Sequence, residues 1–157
     1  MMRRRRGSDT PVEGAPEMPP SRLVNSQDGF DEVVESLCLT AEYAIDTEFH
    51  RERSYYPHLA LIQIAWEDDL VLVDPLAVDV SGLAKVFASA AVAVLHASDQ
   101  DLEVLERACG TVPGQMFDSQ VSAGFIGYVS PSLVSLTESL LGVRLQKGDQ
   151  LTDWMQR

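Results

Sequence analysis

"AIDTEFHRERSYYPHLALIQIA", residues 44–65, joins two β-strand patterns through a charged connection, and the first of them carries two acids. Successive side chains of a strand alternate between faces, so Asp46 and Glu48 project to one side and Thr47 to the other. Two carboxylates held a few ångströms apart repel each other unless a cation lies between them or one takes a proton. A hard divalent ion is the usual resolution, because Mg²⁺ or Mn²⁺ prefers carboxylate oxygen and keeps waters that a phosphate can displace. The competing reading is an edge strand with one polar face in solvent. The Asp-x-Glu pair alone leaves both open.

Outward from this stretch the pattern predicts a mixed α/β fold. "YAIDTEF" (43–49), "LALIQIAW" (59–66) and "LVLVDP" (70–75) read as strands, the last two separated by the turn Glu67-Asp68-Asp69. Their short connections imply antiparallel pairing. Upstream, "SQDGFDEVVESLCLTAEY" offers Ser26 as an N-cap and Phe30, Val33, Val34 and Leu37 at helical spacing. Residues 1–25, rich in Pro, Gly and charge, read as a flexible tail, Arg3–Arg6 included, and the folded domain is expected over 26–157. Downstream follow a helix in "VSGLAKVFASA" (80–90), a central strand buried on both sides in "AVAVLHA" (91–97), and a helix in "SDQDLEVLERACG" capped by Ser98 and stopped by Gly110. Two further helices are expected in "DSQVSAGFIGY" and "SLVSLTESLLG". Helix, three strands, helix, strand and more helices make a mixed sheet covered by helices rather than a purely parallel one.

Composition bounds the function. At 157 residues with 45% hydrophobic and 23% charged residues, one globular domain is expected. The net charge of −12 argues against a general polyanion binder, unless some of the acids are metal ligands and bound ions reverse the local field. Cys38 and Cys109 form no Cys-x-x-Cys pair, which suggests neither a disulfide framework nor a thiolate zinc site and fits a reducing, cytoplasmic setting. No apolar leader or membrane-length run is present, so a protein without membrane association is expected.

A second acid cluster, Asp99 and Asp101, lies in the first turn of the helix after "AVAVLHA". Acids there favour the helix dipole without any catalytic role. The end of such a strand is also where ligand sites gather in α/β folds, so one of these carboxylates could face Asp46 and Glu48. Asp118 reads more simply as the N-cap of the next helix, and His96 as a histidine hydrogen-bonded in place at a strand end.

Taken together, "AIDTEFHRERSYYPHLALIQIA", "VLHASDQDLEVLERACG", "FDSQVSAGFIG" and "LTDWMQR" resemble ribonuclease D and its relatives, the DEDD-type 3′-5′ exonucleases on a ribonuclease H-like fold, over about residues 26–157. The resemblance implies that Asp46, Glu48 and Asp101 are catalytic metal ligands for two Mg²⁺ or Mn²⁺ ions in phosphodiester hydrolysis. It implies as substrate single-stranded RNA 3′ ends, tRNA precursors foremost. Phe49, Arg51, Gln63 and His96 are the candidates for positioning that substrate, with Tyr55, Tyr56, Arg53 and Lys147 as further possible contacts.

The family's third motif, Tyr-x-x-x-Asp after Asp-Trp-x-x-Arg-Pro-Leu, supplies a fourth carboxylate and a water-orienting tyrosine. The sequence ends at Arg157 within "TDWMQR", so the reading from sequence is a fragment of a longer exonuclease with impaired activity. A non-catalytic nucleic-acid or protein-binding remnant is the alternative. A phosphatase is argued against by the lack of a phosphate-cradling Gly-rich loop.

Overall fold

The computed structural model describes residues 20–50 and 56–143. The candidate residues Arg51, Arg53, Tyr55 and Lys147, the run Arg3–Arg6 and the stretch "LTDWMQR" lie outside the described residues. In chain order the elements are β1 (Arg22–Val24), α1 (Gln27–Leu39), β2 (Glu42–His50), β3 (His58–Trp66), β4 (Asp69–Val73), a 3₁₀ turn (Val80–Gly82) leading into α2 (Leu83–Phe87), β5 (Val92–Leu95), α3 (Asp99–Cys109), β6 (Met116–Asp118), α4 (Ser119–Gly124) and α5 (Leu133–Leu141). The sheet has six strands in the order β1-β4-β3-β2-β5-β6. β3 runs antiparallel to β2 and β4, and the other neighbours are parallel. The mixed α/β sheet flanked by helices, expected from the pattern, is the observed architecture.

One face of this sheet builds the core. Tyr43, Ile45 and Thr47 of β2 point into it, as do Ile62, Ile64 and Trp66 of β3, Val71 and Val73 of β4, and Ala93 and Leu95 of β5. α1 lays Phe30, Val33, Val34 and Leu37 onto them, the residues its spacing picks out, and α2 and α3 add Leu83, Val86, Phe87, Leu105 and Cys109. Each such aliphatic or aromatic side chain removed from water contributes about 1.5–3 kcal/mol, so this face is the main source of stability. The opposite face, with Ala44, Asp46, Gln63, Ala65 and Val94, is less covered. This leaves room for a site.

The structure departs from the sequence reading at several points. Arg22–Val24 falls inside the stretch expected to be a tail, yet forms β1 and pairs with Val71–Val73. Three residues are too few to show a period, and only β4 gives their backbone partners. β6 was missed for the same reason: "MFD" has no pattern of its own and is a strand because it pairs with Ala93–Leu95. β5 is therefore flanked by β2 and β6, and its alternate residues Val92 and Val94 are only half-buried, not enclosed on both sides as expected. The helix expected over 80–90 is a 3₁₀ turn and a short α2, ended where the Ser89 hydroxyl donates to the Val86 carbonyl (2.7 Å) and accepts from the Ala91 amide (3.1 Å). Such local side-chain bonds compete with the helix.

α3 stops as expected at Gly110, which adopts φ 75° and donates its N–H to the Glu106 carbonyl. A Cβ there would meet no atom within 4 Å, so only the backbone objects to a side chain. Gly110→Ala is expected to cost about 1 kcal/mol, read as a lower urea midpoint with unchanged slope.

Candidate active site

β2 continues to His50, but β5 pairs with it only over Glu42–Ala44. Beyond Ala44 the β5 side of β2 therefore has amides with no strand to bond. The first turn of α3 supplies a partner: Asp101 Oδ1 accepts from the Thr47 backbone N–H at 3.1 Å and from the Thr47 hydroxyl at 2.5 Å. Asp101 is 8% exposed, and these two bonds satisfy its Oδ1 in the interior. The acid of the second cluster is thus tied to the residue between Asp46 and Glu48.

Asp46 faces away from the core, opposite Gln63 of β3, whose Nε2 donates to Asp46 Oδ2 at 3.4 Å. Much of the residue's surface is open, but its carboxyl is crowded. Burial pushes the Asp46 carboxyl up from the ordinary carboxylate range, the negative charge of Asp101 pushes it further, and His96 pulls it partly back. Two candidate acids and His96 therefore share one electrostatic neighbourhood. Glu48 lies two residues on, half-buried and opposite Leu61. After Glu48 the register slips, so that Phe49 pairs with Leu59 and Ala60 is skipped.

A cavity of about 310 Å³ opens on this less covered face. Its polar lining is Asp46, Gln63, His96 and Ser119, and its apolar lining includes Ala44, Val94 and Leu133. Glu48, Phe49 and Asp101 are not among its lining residues, so the sequence candidates divide between cavity wall and neighbouring supports. Among the described residues, no three His, Cys, Asp or Glu are grouped so as to hold a metal ion.

Asp118 and Ser119 knit the site together, a role the sequence did not reveal. Asp118 does cap α4, its Oδ1 accepting from the Gln120 (2.8 Å) and Val121 (3.1 Å) amides. It also accepts from Ala97 N–H at 3.2 Å and Ser98 N–H at 2.8 Å, gripping the turn that launches α3. Ala97 holds φ 57°, a left-handed conformation costly for a residue with a Cβ. Ser98 occupies the N-cap position of α3 but makes no side-chain cap bond, contrary to expectation; its backbone is turned to Asp118 instead. The neighbouring Ser119 hydroxyl donates to the Leu95 carbonyl (3.0 Å) and lies 2.9 Å from His96 Nδ1. Burial by itself would raise the Asp118 carboxyl, but the hydrogen bonds from Ser98, Val121 and Ala97 outweigh it and hold it at about 2.

Known proteins resemble this chain over most of its length. A family model described as 3′-5′ exonuclease matches residues 21–157. The chain is 35% identical to ribonuclease D of Escherichia coli strain K12 over 139 residues, covering 87% of this chain and 37% of that protein. It is 34% identical to ribonuclease D of Desulfotalea psychrophila over 144 residues, 89% of this chain and 38% of the relative. The crystal structure of the Escherichia coli enzyme, described as an exoribonuclease involved in structured RNA processing, superposes with a TM-score of 0.83, covering 88% of this chain and 38% of that one. The chain thus spans little more than a third of the length of these relatives.

The two shifted carboxyls have opposite consequences. A raised carboxyl favours the protonated folded protein, and its contribution is lost as pH rises through the folded pKa. Asp46→Asn is therefore expected to be more stable than the wild type at pH 7, with the difference vanishing below about pH 3.8, in paired urea titrations. A depressed carboxyl stabilises above its unfolded value. Asp118→Asn, which turns an NH₂ toward one of the donors, should lose about 1–3 kcal/mol at pH 7. That loss should shrink as pH falls from about 4 towards about 2.

Proposed function

The chain belongs to the 3′-5′ exonuclease family, and on that premise we propose that it forms the catalytic portion of a ribonuclease D-like exoribonuclease that removes nucleotides from RNA 3′ ends. The observation that carries this reading is the coupling of Asp46 and Asp101 across Thr47, beside a cavity of about 310 Å³. Such a volume suits a single nucleoside rather than a duplex, as expected for an enzyme that takes a strand one terminus at a time.

Asp46 and Glu48 have the oxygen chemistry that a hard divalent cation takes, though no third such group is gathered with them among the described residues. Like charge on Asp101 and burial both disfavour an ionised Asp46, and Mg²⁺ or Mn²⁺ relieves that conflict with oxygen ligands alone. Asp46 and Glu48 would hold the metal, with Asp101 alongside; bound divalent ions supply an activated water and neutralise charge developing on the phosphate. Arg22, Lys85 and Arg107 are the Lys and Arg residues among those described, so side chains there offer little neutralising charge of their own.

The chain's own groups have separable tasks. Thr47 fixes the rotamer of Asp101 through two hydrogen bonds, Gln63 orients one oxygen of Asp46, and the apolar wall of Ala44, Val94 and Leu133 excludes water from a bound nucleoside. Phe49 and Arg51 are proposed to contact the incoming RNA by stacking and phosphate pairing, which need no sequence preference. Single-stranded RNA ends, tRNA precursors among them, are the proposed substrates, and the cytoplasm the proposed setting. Among the described residues no helix is long and apolar enough to cross a membrane.

The test is a 5′-labelled single-stranded RNA incubated with the chain. Slow, impaired stepwise shortening from the 3′ end with Mn²⁺, its loss in EDTA and a further decrease of at least about 100-fold in Asp46→Asn are expected. RNA binding in EDTA without any cleavage on adding Mn²⁺ would instead identify a binding module.

A further inference from the structure

The slip in register after Glu48 brings two histidines together. Continued in its original register, β2 would set His50 against Leu59; with Ala60 skipped, His50 lies directly opposite His58. Residues directly opposite on antiparallel strands project to one face, with Cβ atoms about 4.5–5.5 Å apart. Alternation along β2 puts His50 on the face of Asp46 and Glu48. On β3, Leu59 packs against the core, which turns His58 to that same outer face. His50 is half-buried and His58 exposed, so neither residue is closed off from solvent. Among the described residues neither imidazole has a hydrogen-bond partner.

Two imidazoles at that spacing can converge on one ion at the nitrogen–metal distance of about 2.0–2.1 Å usual for zinc. Nitrogen ligands select borderline ions such as Zn²⁺, Ni²⁺ and Cu²⁺ over Mg²⁺ and Mn²⁺, which prefer oxygen. We propose that His50 and His58 form a cross-strand site for a borderline transition-metal ion, Zn²⁺ foremost, chemically separate from the hard-cation position at Asp46 and Glu48. Among the described residues no third His, Cys, Asp or Glu is grouped with the pair. Water therefore completes the shell, and the site is open and exchangeable rather than a closed structural centre. A bound ion links the last residue of β2 to the first residue of β3 and closes the mouth of the hairpin beside Glu48. An ion held only by the folded pair also adds to the stability of the folded chain. The site stands whether or not the chain cleaves RNA.

The probe is Zn²⁺, added near neutral pH and in excess Mg²⁺ to the untagged chain carrying Cys38→Ser, because Cys38 is an exposed thiol. Calorimetry should give one Zn²⁺ per chain. In long-range ¹H–¹⁵N spectra the imidazole resonances of His50 and His58 should shift while those of His96 stay in place. His50→Gln and His58→Gln should each weaken binding at least about tenfold, or about 1.4 kcal/mol. Zn²⁺ should raise the thermal midpoint of the parent chain but not that of the double variant. Asp46→Asn should leave the Zn²⁺ affinity intact, which separates this site from the hard-cation position. Zn²⁺ that shifts neither imidazole, equal affinity in the parent and the double variant, or loss of the site in Asp46→Asn would overturn the proposal. The spectra are read on the chain with both histidines, so the result stands even where a variant folds poorly. A chain that shortens RNA yet takes no Zn²⁺ at the histidines loses this site alone, and the converse loses only the exonuclease reading.

Discussion

The hydrogen bonds from Thr47 to Asp101 depend on a mismatch in strand length. β2 outruns β5, so the Thr47 amide projects from a sheet edge where no strand follows, and the interior cannot leave it unpaired. A carboxylate on the first turn of α3 satisfies it, which fixes the height at which the helix leaves the sheet. The same carboxylate then stands close enough to Asp46 to raise its pKa. One backbone requirement thus assembles both halves of the candidate active site, and the like charges accumulate there as a consequence.

The arrangement is held against strain. Ala97 adopts a left-handed conformation between β5 and α3, and Asp118 offsets that cost by receiving the amides of Ala97 and Ser98 on its two oxygens. Because Asp118 also caps α4, a single side chain joins the turn carrying His96 and Asp101 to the helix carrying Ser119. The carboxyls of the domain therefore divide by chemistry. Asp118 is surrounded by donors and is stabilised as an anion, whereas Asp46 is surrounded by burial and like charge and is not. A group kept at a cost to stability beside a cavity is the pattern expected of a functional site.

Long periodic segments were legible because their partners are implied by their own pattern. α1 buries the four residues its spacing selects, and β3 and β4 follow their alternation around a short turn. β1 and β6, at three residues each, carry no periodic signal and exist through hydrogen bonds to neighbours distant in sequence. The candidate acids Asp46 and Asp101 were visible as motif residues and Gln63 as a substrate-positioning candidate, but the bond from Gln63 to Asp46 across the β2–β3 pair appears only in the structure. Ser119 was invisible, since a serine after an N-cap aspartate has no distinguishing local feature.

The sequence by itself determined the class of fold, the polar face of β2 and the residue types available for chemistry, because alternation and helical spacing are local properties of the chain. It also carried the resemblance to the exonucleases, through motifs whose order and spacing survive without coordinates. Only the tertiary structure decided that Asp101 is spent partly on Thr47, that Asp118 holds a strained turn, and that Ser119 lies within hydrogen-bond reach of His96. Each of these depends on which unpaired backbone or side-chain group lies within about 3 Å of another, and that is set by sheet pairing between segments at least 20 residues apart.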